Sequence, residues 1–180
     1  MNARKSMKKA SRPVAHRYGF TMLEMVMVIM VIGLMALFAT PLIRNGQAGS
    51  VNAAAAMLRS DLERAQVMAL AHPDLRIGVQ FDADGGGWQL VDADAPSTPL
   101  LDEVNGSPIS LRLGKGRGQV AYGVQLEHST LPMNLLVFDA LGGLETPGQP
   151  KLVTLRNEAH EATLKISAST GWITIENNTN

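Results

Sequence analysis

The sequence predicts an α+β protein: a long N-terminal helix, transmembrane in its first part, followed by a head of two antiparallel β-sheets. Three observations predict it. Residues 25–43 carry no charge and begin MVMVIMVIGLMALFA. Val51, Ala55, Leu58, Leu62, Ala65 and Ala69 recur at helical spacing. From Leu75 onward the apolar period falls to two, in about eight short runs divided by turn residues.

Composition sets the outer bounds. The 180 residues, 46% hydrophobic, suffice for one compact domain and a short extra element. The chain has no cysteine, which excludes a disulfide framework, a cysteine zinc site, an iron–sulfur cluster and a thiol nucleophile. Sixteen basic residues balance sixteen acids, but unevenly. Arg4, Lys5, Lys8, Lys9, Arg12 and Arg17 lie within residues 1–19, which contain no acid. Ten basic residues then face all sixteen acids in residues 20–180, a balance of about −6. That sign repels nucleic acid, so no nucleic-acid partner is expected.

The first element is a helix over residues 20–43. Its charge-free part, Met25–Ile43, is 19 residues, or roughly 28 Å as a helix, against a hydrocarbon core of ~30 Å. It has no polar face, so a transmembrane segment is predicted. Basic residues before it place the N-terminus in the cytoplasm and everything after Ile43 on the far side of the membrane. A cleaved secretory signal would be shorter, with its small-x-small site after the run; here Ala36–Ala39 lies inside it. Glu24, at the entrance, is a functional signal in such a segment or a side chain that reaches back to the headgroups. Pro41 removes a helix hydrogen bond. It either kinks or melts the helix near Thr40 or ends the segment.

The residues around Glu24 are distinctive as a set. Arg17-Tyr18-Gly19-Phe20-Thr21-Met22-Leu23-Glu24, after a basic leader and before an apolar run with Gly33 and Pro41, resembles the class III signal of type IV pilins and type II secretion pseudopilins. The resemblance implies that a prepilin peptidase cuts between Gly19 and Phe20 and methylates the new N-terminus at Phe20. Glycine leaves room for the peptidase at the scissile backbone. The freed amine lies four residues before Glu24, one helical turn away. In a filament of parallel apolar helices an unpaired carboxylate is costly, so its pairing with an amine sets the register between subunits.

Residues 44–72 continue the helix. The stretch Arg44–Ser50 is polar and carries glycine, which predicts a weak point. Beyond it the apolar stripe faces a core, with Arg59, Asp61, Glu63 and Arg64 assigned to the surface. His72-Pro73 ends the helix. Residues 73–180 form the head. Arg76–Phe81 and Trp88–Val91 flank a turn and read as a hairpin. Further strands are predicted at Ile109–Leu113, Val120–Leu126, Leu135–Phe138, Lys151–Leu155, Ala162–Ile166 and Trp172–Ile175. The helix sequence MLRSDLERAQVMALAH, the turn Phe138–Gly143 and the terminal hairpin Leu164–Glu176 resemble the GspH/FimT pseudopilin family.

No catalytic set emerges. Asp82-Ala83-Asp84-Gly85-Gly86-Gly87 has two carboxylates but lacks the remaining ligands of a calcium loop, and reads as a hairpin turn. Gly114–Gly118, with Lys115 and Arg117, lacks the spacing of a phosphate loop. It is the one compact basic pair outside the leader, and the place to look for an acidic partner. His72, His128 and His160 are isolated. Trp88 and Trp172 each follow a glycine turn; core anchoring is the default, and exposure of either makes it a subunit-contact candidate.

The resemblance therefore implies a non-enzymatic structural subunit, without metal or cofactor. It would be a minor pseudopilin that helps a type II secretion system export folded proteins. Its implied partners are the prepilin peptidase, major pseudopilin G, minor pseudopilins I, J and K, the inner-membrane assembly platform and lipid. Two alternatives share parts of the pattern. One is a FimT-like minor type IV pilin acting in pilus priming or DNA uptake, for which Lys151, Arg156 and Lys165 would have to cluster. The other is a membrane-tethered binding domain that keeps its leader.

Overall fold

The computed structural model describes residues 20–128, 131–146, 148–158 and 160–179, with side chains described except at 36–47 and 178–179. The chain divides into two compact units, residues 1–40 and 41–180. Helix α1, Met22–Ala71, is a single 50-residue element, and its helical backbone is unbroken through Pro41 and through 44–50.

In the first unit every described side chain from Phe20 to Met35 is exposed. The transmembrane expectation for this segment is corrected by its length and composition. Among the described residues no helix is long and apolar enough to cross a membrane. The part of α1 beyond Ser50 is amphipathic, with Arg59, Glu63 and Arg64 along it. The single-pass inner-membrane location derived from a span over 20–43 falls with it.

Among the described residues the second unit contains eight antiparallel strands: β1 Ile77–Phe81, β2 Gly87–Asp92, β3 Ser110–Arg112, β4 Gln125–Glu127, β5 Leu135–Val137, β6 Lys151–Asn157, β7 His160–Ile166 and β8 Ile173–Thr179. They form two four-stranded sheets, β3-β2-β1-β5 and β4-β6-β7-β8. The α+β class with two antiparallel sheets is thus the observed one. The chain visits the sheets alternately. It leaves the first after β3, lays β4 in the second, returns with β5, and completes the second with β6–β8.

Helix residues 51–69 and both sheets share one core. Val51, Leu58, Leu62, Ala65 and Ala69 are buried together with Val79, Trp88 and Leu90 of the first sheet and Val153, Leu164 and Ile166 of the second. The predicted apolar stripe is this contact. The second sheet keeps the alternation of an antiparallel sheet with one face on a core; in β7, Ala162, Leu164 and Ile166 point inward.

One predicted strand is shorter than its alternation implied. Val120–Val124 does not pair; Gln119–Ala121 forms a 3-10 turn, and strand structure begins only at Gln125. Gly123, at φ +75°, supplies the left-handed turn that interrupts the strand. Val120 and Tyr122 are consequently exposed.

Candidate functional site

The segment expected to be processed begins at the edge of the described chain. Gly19 lies outside the described residues. Phe20 and Thr21 precede the helix. Thr21 caps it: its hydroxyl accepts the Glu24 N–H at 3.2 Å, and its carbonyl accepts those of Glu24 and Met25 at 3.1 and 3.2 Å. Thr-x-x-Glu is a capping-box pattern, a helix-start signal that the sequence reading passed over. Glu24 is exposed in the first turn, where a negative charge also complements the helix dipole.

Behind Glu24 the helix is bare. Its large apolar side chains from Met25 to Met35 are 44–69% exposed, on every side of the helix. Pro41, expected to kink, melt or end the helix and so to assist assembly, has a helical backbone, and its side chain lies outside the described set; the boundary between the two units falls between Thr40 and Pro41.

The head is fastened by a buried carboxylate. Asp61, read as a surface residue, is only 3% exposed. Its Oδ2 accepts the indole N–H of Trp88 at 2.8 Å and also pairs with the Arg117 guanidinium. Asp61 follows Ala54 and Leu58 at seven and three residues, which puts it on the buried stripe. Helical phase could have located it; residue type misled. For Arg117, the acidic partner sought for the Gly114–Gly118 loop is within the chain. Arg117 uses that loop to reach helix α1, and half of its side chain remains in solvent.

The two carboxylates of the β1–β2 turn also have local partners. Asp82 and Asp84 pair with Arg112 of β3 at 2.9 and 2.6 Å. The Gly86 N–H, and then Arg112, hold the Asp84 carboxyl below the usual carboxylate range. His128 contacts the Asp82 carbonyl at 3.1 Å and stacks on Phe81. Among the described residues no group of three or more metal-binding side chains converges.

The tryptophans part company. Trp88 is buried, whereas Trp172 is 67% exposed. Beside Trp172 the Gln66 amide of helix α1 donates to two loop carbonyls, Gly142 at 2.6 Å and Thr170 at 3.0 Å. These loops present Leu141 and Trp172, both exposed, near the exposed Leu70 of the helix. Of the three head cations considered for a basic patch, Arg156 is engaged by Glu127 and Glu161. Lys151 is in register with Ile166 and Lys165 with Leu152, so strand alternation directs the two lysines to opposite faces.

No protein-family model, curated protein or solved structure matches the chain.

Proposed function

We propose that the chain is a structural filament subunit of the pseudopilin kind, matured by removal of residues 1–19 and assembled through its apolar helix. Its role is that of a minor pseudopilin in type II secretion of folded proteins. In this role it makes and breaks no bond and is itself the substrate of a prepilin peptidase. One observation carries the reading: a bare apolar helix begins two residues beyond the Gly19–Phe20 bond, with Glu24 as its one charge up to Met35. Such a surface is stable only when covered, and parallel copies of the same helix would cover it while pairing Glu24 with the Phe20 amine. The two-sheet head supplies lateral contacts, with Trp172 and Leu141 as anchors. Pseudopilins G, I, J and K and the assembly platform are the corresponding partners.

Intact-mass measurement of the full chain co-expressed with a prepilin peptidase tests this. The expected product starts at Phe20 and carries one added methyl group, and Gly19→Asp keeps residues 1–19 attached. A wild-type chain that retains its leader beside an active peptidase would overturn the proposal.

A further inference from the structure

The bare helix has an unusual composition. Five of the chain's ten methionines, Met22, Met25, Met27, Met30 and Met35, fall within residues 20–35. All five are exposed, from 51% to 87%. Leucine, isoleucine or valine would serve packing equally well. At about 100° per residue the five lie near 0°, 300°, 140°, 80° and 220° around the axis, taking Met22 as zero. The sulfurs thus ring the helix, and every face that a neighbouring helix could cover carries one. Further along α1, Met57 and Met68 pack against the core, while Met133 of the head is exposed.

We propose that this methionine ring is an oxidation site for peroxide-class oxidants, and that its oxidation bars the free subunit from assembly. A thioether lone pair attacks one peroxide oxygen, the O–O bond breaks and an S–O bond forms. Proton transfer to the departing oxygen yields water. Sulfur is oxidised by two electrons and the peroxide is reduced by two. The product places a strongly dipolar S=O group, a hydrogen-bond acceptor, where an apolar contact has to form. The backbone donors of the helix interior are already used, so a covered sulfoxide has no partner. Assembly in turn shields the sulfurs, so oxidation selects the unassembled pool. Sulfoxide reductases reverse the step.

The barrier to assembly rests on the filament reading above; the preferential oxidation does not. The test uses the full chain in mild detergent, treated with hydrogen peroxide and mapped by peptide mass. Each of the five methionines, and Met133, should gain one oxygen at least tenfold faster than Met57 and Met68. On detergent removal, the treated chain should sediment at least tenfold less than the untreated chain. Treatment with sulfoxide reductases A and B and a thiol should restore it.

A variant combining Met22→Leu, Met25→Leu, Met27→Leu, Met30→Leu and Met35→Leu keeps volume and helix propensity. It should sediment normally with or without peroxide, whereas Met133→Leu alone should leave the sensitivity intact. Equal oxidation rates at Met57 and Met68, or unimpaired sedimentation of the oxidised chain, would overturn the proposal, as would loss of assembly in the peroxide-treated leucine variant. If the untreated chain never sediments, the filament reading fails and takes the assembly barrier with it, while the mass map still decides where oxidation falls.

Discussion

The indole N–H of Trp88 donates to the carboxylate of Asp61 at 2.8 Å, joining strand β2 to helix α1 inside the core. Arg117 approaches the same oxygen from the solvent side. One carboxylate thus ties together the helix, the first sheet and the glycine loop. Removing it strands a buried donor, which costs roughly 1–3 kcal/mol. Asp61→Ala should therefore lower the unfolding free energy by about 2–3 kcal/mol. Asp61→Asn keeps an oxygen for the indole and should cost about 1 kcal/mol. Urea unfolding of the full chain, followed by tryptophan fluorescence, measures both, and equal losses would show that the indole bond contributes little.

Gly171 sits at φ +64° in the β7–β8 turn, where an added methyl group would run into the Gly142 carbonyl oxygen. That oxygen also accepts from Gln66. Gly171→Ala combines a disfavoured backbone with this collision and should cost about 2–4 kcal/mol. Gln66→Ala alone should cost about 1 kcal/mol. Thermal unfolding of the two variants gives the order, and a harmless Gly171→Ala would mean that the two loops separate easily.

Trp172 contributes little to its own fold. Trp172→Ser should leave unfolding within about 0.5 kcal/mol of wild type. As a contact anchor, its loss should weaken association with neighbouring subunits by roughly tenfold or more. Sedimentation of the variant beside wild type checks both statements, and unchanged association would remove Trp172 from the contact surface.

Glu24 stands in a Thr-x-x-Glu pattern at the helix start and carries a charge, and the two features can be separated. Glu24→Gln retains the capping pattern and removes the charge. With charge pairing in control, Glu24→Gln and Glu24→Val should both be processed normally, and both should fail to assemble. Assembly by Glu24→Gln alone would assign the role to the cap.

Asp102 anchors the loop over Leu101–Ser107. Its carboxyl is held below the usual range by the Arg64 side chain first and the Val104 N–H next. A depressed value in the folded state stabilises above the unfolded value of about 4 and fades as pH falls through the folded one. Intrinsic exchange chemistry aside, protection of the Val104 amide, which donates to the Asp102 carboxylate, should therefore be greatest at neutral pH and decline in acid. Asp102→Asn should abolish that acid-dependent step; persistence of the step would place its origin elsewhere.

Periodicity made most of the head legible. The stripe Val51–Ala69 and the hairpins around Phe81–Trp88 and Ile166–Ile173 follow from local pattern, because burial selects apolar residues at the period of each element. Tertiary partners were less legible. Asp61 belongs to the stripe by phase, but its charge argued for solvent, and its donors lie 27 and 56 residues away. Trp88 and Trp172 have similar local contexts, and only the neighbouring strands decide which is covered. At Val120–Val124 the alternation is real, yet Gly123 turns the chain before it can pair. At the N-terminus, apolar composition argued for a transmembrane span that the described helix does not provide.

The alternation of the chain between the two sheets has a consequence for how the head comes apart. Strand β5 closes the first sheet through the Gly78–Val137 pairing only after β4 has entered the second, where Leu126 pairs with Leu155. Neither sheet is a contiguous piece of sequence, so neither is a foldon that can open alone. Peeling away β4 or β5 pulls on the connection to the other sheet. The head should therefore melt in one cooperative step, and a protease nick between β4 and β5 should leave two fragments that remain associated until that step is reached.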